Sequence, residues 1–92
     1  MTVKFFATLK LKLRVASVSV EASPATTVGQ ALRDAERALG SEFWLEIFDE
    51  AGTARVGAMV LLDGVNIAHL QGVDTPVGTA EALSIFPPAG GG

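Results

Sequence analysis

The chain has no cysteine and no tyrosine, and only one tryptophan and one histidine. Without cysteine it has neither a disulfide framework nor a thiolate metal site. His69 stands alone, with no cysteine or second histidine to complete a ligand set, and reads as a loop histidine without function. Charge is also scarce. Seven basic residues against 10 acidic ones leave a net charge of −3, which argues against nucleic acid as the main partner. No apolar run approaches the ~20 residues that cross a bilayer, and the first residues lack the layout of a signal peptide. Together these absences predict a cytoplasmic protein with no membrane partner. No Ser-His-Asp arrangement, phosphate-cradling glycine loop or spaced carboxylate pair can be assembled. The expectation is therefore no catalytic residue, no metal and no bound cofactor, in a chain that serves enzymes as carrier or substrate.

Apolar residues, in contrast, make up 49% of the 92 positions, enough for one small core and one domain. Residues 3–9 alternate as a first strand, with Val3, Phe5, Ala7 and Leu9 on one face and Lys4, Phe6 and Thr8 on the other. Residues 10–16 read as a connection, and residues 17–22 as a second strand completing a hairpin. Thr27 and Gln30 have the spacing of a capping box. Val28, Ala31, Leu32, Ala35 and Leu39 then repeat at helical spacing, Arg33, Asp34, Glu36 and Arg37 fall opposite, and Gly40 closes the helix. Phe43, Trp44, Ile47 and Phe48 suit a short second helix with Ser41 as its cap, and a single strand is the alternative. The apolar run 58–62 is a strand that is either buried on both sides or exposes a patch. Asp63-Gly64 signals a hairpin turn into Val65-Asn66-Ile67. Residues 70–80 read as loop, and Leu83-Ser84-Ile85-Phe86 as the last strand.

That strand runs into Pro87-Pro88-Ala89-Gly90-Gly91-Gly92. The prolines hold φ and favour extended backbone, which aims the tail away from the body. The glycines carry no Cβ and give the thinnest, most pliable peptide available. Such a segment suits threading through a narrow channel, and a frayed terminus is the plain alternative.

The ending Ile85-Phe86-Pro87-Pro88-Ala89-Gly90-Gly91-Gly92 resembles that of the ubiquitin-like sulfur carriers, among them the small subunit of molybdopterin synthase and the thiamin-pathway carrier. Their usual pattern is a hydrophobic pair, Pro-Pro-Val, a small residue and Gly-Gly. Here Ala89 takes the Val position, and Gly91-Gly92 fall in register. Val60-Leu61-Leu62-Asp63-Gly64 and Gly72-Val73-Asp74-Thr75-Pro76 extend the similarity over nearly the whole chain. The chain departs from the pattern at Ala80-Glu81-Ala82-Leu83, where the family has Gly-Asp-Glu-Val, which leaves the turn geometry there open.

The resemblance implies an α+β, β-grasp fold: a mixed sheet with one main helix across one face, formed by residues 1–86, followed by a tail over 87–92. It implies that an ATP-dependent, ubiquitin-activating-like enzyme adenylates Gly92, that a sulfur donor converts the adenylate to a thiocarboxylate, and that Gly90, Gly91 and Gly92 thread an acceptor's active site. With no cysteine in the chain, the C-terminal carboxyl is the one place left for sulfur. The first choice of acceptor is the large subunit of molybdopterin synthase, because Phe86-Pro87-Pro88 is most similar to that branch. Carriage for cysteine or thiamin synthesis, a ubiquitin-like protein modifier, and an interaction module with an inert tail are the alternatives. Alternation places Phe6 and Phe86 together on the face away from the helix, where family members dock their partners. Phe6, Phe86, Pro87 and Pro88 are thus the expected partner-binding residues. Lys4, Lys10, Lys12 and Arg14 form a basic cluster that either meets partner acids or is a solvated edge.

Overall fold

The computed structural model describes residues 1–88. Five strands, β1 (Thr2–Phe5), β2 (Ser17–Ser19), β3 (Met59–Leu62), β4 (Val65–Asn66) and β5 (Ala82–Phe86), form one sheet in the order β2-β1-β5-β3-β4. The first and last strands run parallel at its middle, with Val3 opposite Leu83 and Phe5 opposite Ile85, and the remaining pairs are antiparallel. Strand alternation sends Val3, Phe5, Val60, Leu83 and Ile85 to one side, where each is essentially inaccessible. The main helix, α2 (Val28–Leu39), lies on that side and buries Val28, Ala31, Leu32 and Ala35 against them. A 12-residue helix is marginal alone, and burial of these side chains supplies what its backbone lacks. This is the β-grasp arrangement.

The ends of α2 are as expected. Gln30 N–H donates to Thr27 Oγ1 at 3.2 Å, Thr27 N–H donates to Gln30 Oε1 at 2.9 Å, and Gly40 closes the helix at φ 68°. Asp63 and Gly64 turn the β3–β4 hairpin at φ 46° and 84°, both in the left-handed region that such a two-residue loop demands.

Several expectations are corrected. The first strand stops at Phe5, and residues 7–9 belong instead to a helix, α1 (Ala7–Leu13). Ala7 at φ 54° turns the chain out of the sheet, and Arg14 at φ 61° ends the helix. The span Leu9-Lys10-Leu11-Lys12-Leu13 is rich in strong helix formers, and Leu9 is buried from α1 rather than from a strand. The 10–16 connection is therefore mostly helix, and β1 and β2 pair around it. β2 ends at Ser19 rather than Ala22. β4 ends at Asn66, whose side chain accepts from Ala68 N–H and starts a 3-10 turn at Ile67–His69; a second covers Gly72–Asp74 within the expected loop.

The other two corrections concern α3 (Trp44–Ile47). The short helix exists, but Ser41 does not cap it. Glu36 does. Its Oε2 accepts from Phe43 N–H at 2.7 Å and Trp44 N–H at 3.0 Å, and its Oε1 takes Arg33 Nη1 at 2.9 Å. Glu36 thus leaves the polar side of α2 and is 6% exposed. A carboxylate accepting two orphan amides and one guanidinium is well satisfied, and removing it strands the two amides, whereas the half-exposed Arg33 can turn to water. Glu36→Ala is expected to cost about 2–4 kcal/mol, read as a lower denaturation midpoint with unchanged slope.

Candidate docking face and tail exit

On the sheet face away from α2, β1 and β5 present Thr2, Lys4, Ala82, Ser84 and Phe86, all half-exposed or exposed. Phe6 lies one residue past β1 but keeps an extended backbone, φ −128° and ψ 161°, before Ala7 turns into α1. Its N–H donates to Ile85 O at 3.2 Å, so the parallel β1–β5 ladder runs one step further and sets Phe6 beside Phe86. Their rings stack with centroids 4.4 Å apart and planes 11° from parallel. Met59 is opposite Phe86 on β3, and Leu61 is opposite Ser84. Cross-strand neighbours lie within ~5 Å on one face, so Met59 extends the apolar row across a third strand.

Sequence reasoning missed Met59 and Leu61. The run 58–62 left open whether its strand exposes a patch, and the phase of Phe86 through the antiparallel register is the signal that would have found them. Pro87 and Pro88 leave the sheet at this row and are half-buried. Gly90, Gly91 and Gly92 lie outside the described residues.

The basic cluster is divided. Lys4 lies exposed on the sheet face, between Ser17 and Ser84, whereas Lys10 and Lys12 ride on α1 and Arg14 ends it. Lys12 Nζ pairs with Glu46 on α3 at 2.6 Å. On the helical side of the molecule, the Arg33 guanidinium lies 4.0 Å from the Trp44 ring centroid. His69 is exposed. Among the described residues no three His, Asp or Glu side chains gather as a metal site would require, and no helix is long and apolar enough to cross a membrane.

Asp63 settles the turn left open at Ala80-Glu81-Ala82. Its carboxylate accepts from Glu81 N–H at 3.1 Å and from Ala82 N–H at 2.9 Å, and its own N–H donates to Ala82 O at 2.9 Å. The β3–β4 hairpin thereby fixes where β5 begins, and hence where it delivers Phe86. These backbone contacts do not need the family's acidic residues at 81 and 82.

Residues 3–92 match the ThiS family. The chain belongs to this family. Small archaeal modifier protein 3 of Haloferax volcanii is 32% identical to this ThiS-family chain over 89 residues, covering 97% of the chain and 95% of that protein. The crystal structure of SAMP1 from Haloferax volcanii superposes with a TM-score of 0.73 at 28% identity, covering 99% of this chain and 97% of that one. CysO of Mycobacterium tuberculosis superposes with a TM-score of 0.76 over 96% of this chain and 98% of its own, at 21% identity, a likeness of fold. The stacked pair and the strand leading into Pro87-Pro88 thus sit on a ubiquitin-like carrier or modifier scaffold.

Proposed function

We propose that this ThiS-family chain is a sulfur carrier that works through the carboxyl of Gly92. The observation that carries the reading is the course of β5. This strand is hydrogen-bonded on both sides and ends at Pro87-Pro88 beside an open apolar row of Phe6, Phe86 and Met59. A rigid strand aims the tail, and the row beside it offers a partner something to hold.

In this reading an ATP-dependent activating enzyme docks on the row. The Gly92 carboxylate attacks the α-phosphorus of ATP, pyrophosphate leaves, and an acyl adenylate forms. Hydrosulfide from a sulfur donor attacks the acyl carbon, AMP departs and a proton is lost, leaving a thiocarboxylate on Gly92. A carboxylate is a poor electrophile, so activation has to come first, and in this reading the partner supplies the ATP. The thiocarboxylate sulfur is the better nucleophile, and Gly90, Gly91 and Gly92 carry it into the acceptor. The acceptor we propose is the large subunit of molybdopterin synthase, on the likeness of Phe86-Pro87-Pro88 to that branch, with this chain as a non-catalytic small subunit.

The names of two relatives favour a second reading. Small archaeal modifier protein 3 and SAMP1 align over nearly all of this chain, which supports a modifier joined through Gly92 to lysines of other proteins. Intact-mass spectrometry after incubation with activating enzyme, ATP and a sulfur donor separates the two. Exchange of one oxygen for one sulfur on the C-terminal residue is the expected outcome. Lysine isopeptides on other proteins without that exchange would replace the carrier by the modifier.

A further inference from the structure

Both ends of α1 are tied to the same end of the sheet. Phe6 N–H, just ahead of the helix, donates to Ile85 O at 3.2 Å, and Phe5 N–H donates to Ala16 O, just after it, at 2.9 Å. Residues 6–16 therefore cap the end at which β5 delivers Pro87. The antiparallel register of β3, with Met59 opposite Phe86, brings residues 54–58 to this end as well. These two segments contain Lys10, Lys12, Arg14 and Arg55 and not one acid. Lys4 adds a fifth cation on the open face, two residues before Phe6, and all five are exposed.

The opposite end is acidic. Val20 N–H donates to Met1 O at 2.9 Å, so Glu21 follows at the end where β1 begins. Asp63 holds the amides of Glu81 and Ala82 where β5 begins. Glu21, Asp63 and Glu81 thus stand at one pole, and five of the seven basic residues at or near the other, in a chain of net charge −3. Ion pairing does not cancel the basic pole. Among the described residues Lys12 alone of the five meets a carboxylate, that of Glu46 at 2.6 Å, whereas Arg55 donates Nε to Leu45 O.

We infer that this basic pole is an electrostatic docking surface whose occupant is a carboxylate-rimmed opening on the activating enzyme, the opening that admits the tail. This rests on the function proposed above, and the activating enzyme is the partner that the carrier and modifier readings share. The sign of the rim follows from the polarity of the chain. A carboxylate rim attracts the tail-exit pole and repels the acidic one, so the chain arrives tail first. A basic rim would turn Glu21, Asp63 and Glu81 toward the opening and the tail away from it. The kind of contact fits a visiting carrier, which must meet the enzyme, be activated and leave. Exposed charges speed diffusional encounter and add little to the lifetime of a complex, which the apolar row of Phe6, Phe86 and Met59 governs.

The test is stopped-flow association of the full-length chain with its activating enzyme, between about 50 and about 500 mM NaCl. Wild-type association should slow about tenfold over that range as the charges are screened. Lys10→Gln/Arg14→Gln is expected to associate about fivefold more slowly than wild type at the low salt and within about twofold of it at the high salt. Its dissociation rate should stay within about twofold throughout, and its thermal midpoint within about 3 °C, because both side chains are exposed. Ala22→Glu/Thr79→Glu lowers the net charge by the same amount at exposed positions of the acidic end, and should associate within about twofold of wild type. An unchanged rate for Lys10→Gln/Arg14→Gln would overturn the inference and leave the proposed function standing. Equal slowing by the two double variants would do the same, because net charge and not the pole would then be responsible. Wild-type binding to a single-stranded DNA oligomer at about 150 mM NaCl, lost in Lys10→Gln/Arg14→Gln, would assign the pole to nucleic acid and overturn it equally. Failure of the enzyme to adenylate the wild-type chain would bring down the proposed function and this inference with it.

Discussion

Deletion of Gly92 is expected to abolish thiocarboxylate formation while leaving the thermal midpoint of the protein unchanged. The sheet closes through β5, which ends at Phe86, and the core residues of that strand are Leu83 and Ile85. The core of the described residues is complete with that strand. In the proposed function the chemistry depends on Gly92 wholly, because the carboxyl that remains is one residue, roughly 3.5 Å, short of where the partner would hold ATP. Displacements of ~1 Å already cost on the order of 10²-fold when reacting atoms must be aligned. Gly91→Phe should fail by a similar factor for a different reason: it keeps the reach but adds a ring to a peptide whose use is its thinness. Intact-mass spectrometry reads the loss of product, and a melting curve reads the fold. A Gly92 deletion that still gained sulfur would move the attachment point elsewhere and end the carrier reading.

The second large effect is expected from the stacked rings. Phe86→Ala should weaken binding of the activating enzyme about thirtyfold, corresponding to the ~2 kcal/mol of a central apolar anchor, and Phe6→Ala should do nearly as much. The cost to the isolated protein should be smaller, about 1 kcal/mol, because both rings lie outside the buried core and lose chiefly each other's face. Calorimetric titration and denaturant melts on the same preparations give the two numbers to compare. Equal losses in binding and in stability would make the pair a structural stack and remove it from the docking face. The contrast with Phe5 is useful. That ring is 1% exposed and packs edge-on against Phe43 at 5.4 Å, so Phe5→Ala falls on folding itself.

Much of this architecture was legible because its signals are local and carry a mechanism. Thr27 and Gln30 satisfy each other's neighbouring amides wherever that spacing opens a helix, and Asp63-Gly64 tolerates a backbone that few other pairs accept. The pairing of Phe6 with Phe86 followed from period-two alternation together with the β-grasp resemblance, which implies that the first and last strands lie side by side. What was missed depends on partners distant in sequence. Leu9 continues the alternation of Val3 and Phe5 perfectly, so α1 is hidden in a pattern that suits a strand equally well. Glu36 lies at a polar position of α2 and gives no hint that α3 will bring two bare amides to it. Asp63 looked like a turn residue and nothing more, yet its carboxylate organises the start of a strand well downstream. In each case an acid or a leucine does ordinary local work that conceals a tertiary task.

The middle position of β5 bears on what happens when a partner tugs. A pull along the tail acts lengthwise on a strand stitched to β1 on one flank and β3 on the other. Its rungs must then slide together, in shear, instead of peeling apart singly as they would in a hairpin opened from its end. In the proposed function an enzyme can therefore pull on the tail, and release it again, without unravelling the body that brought it.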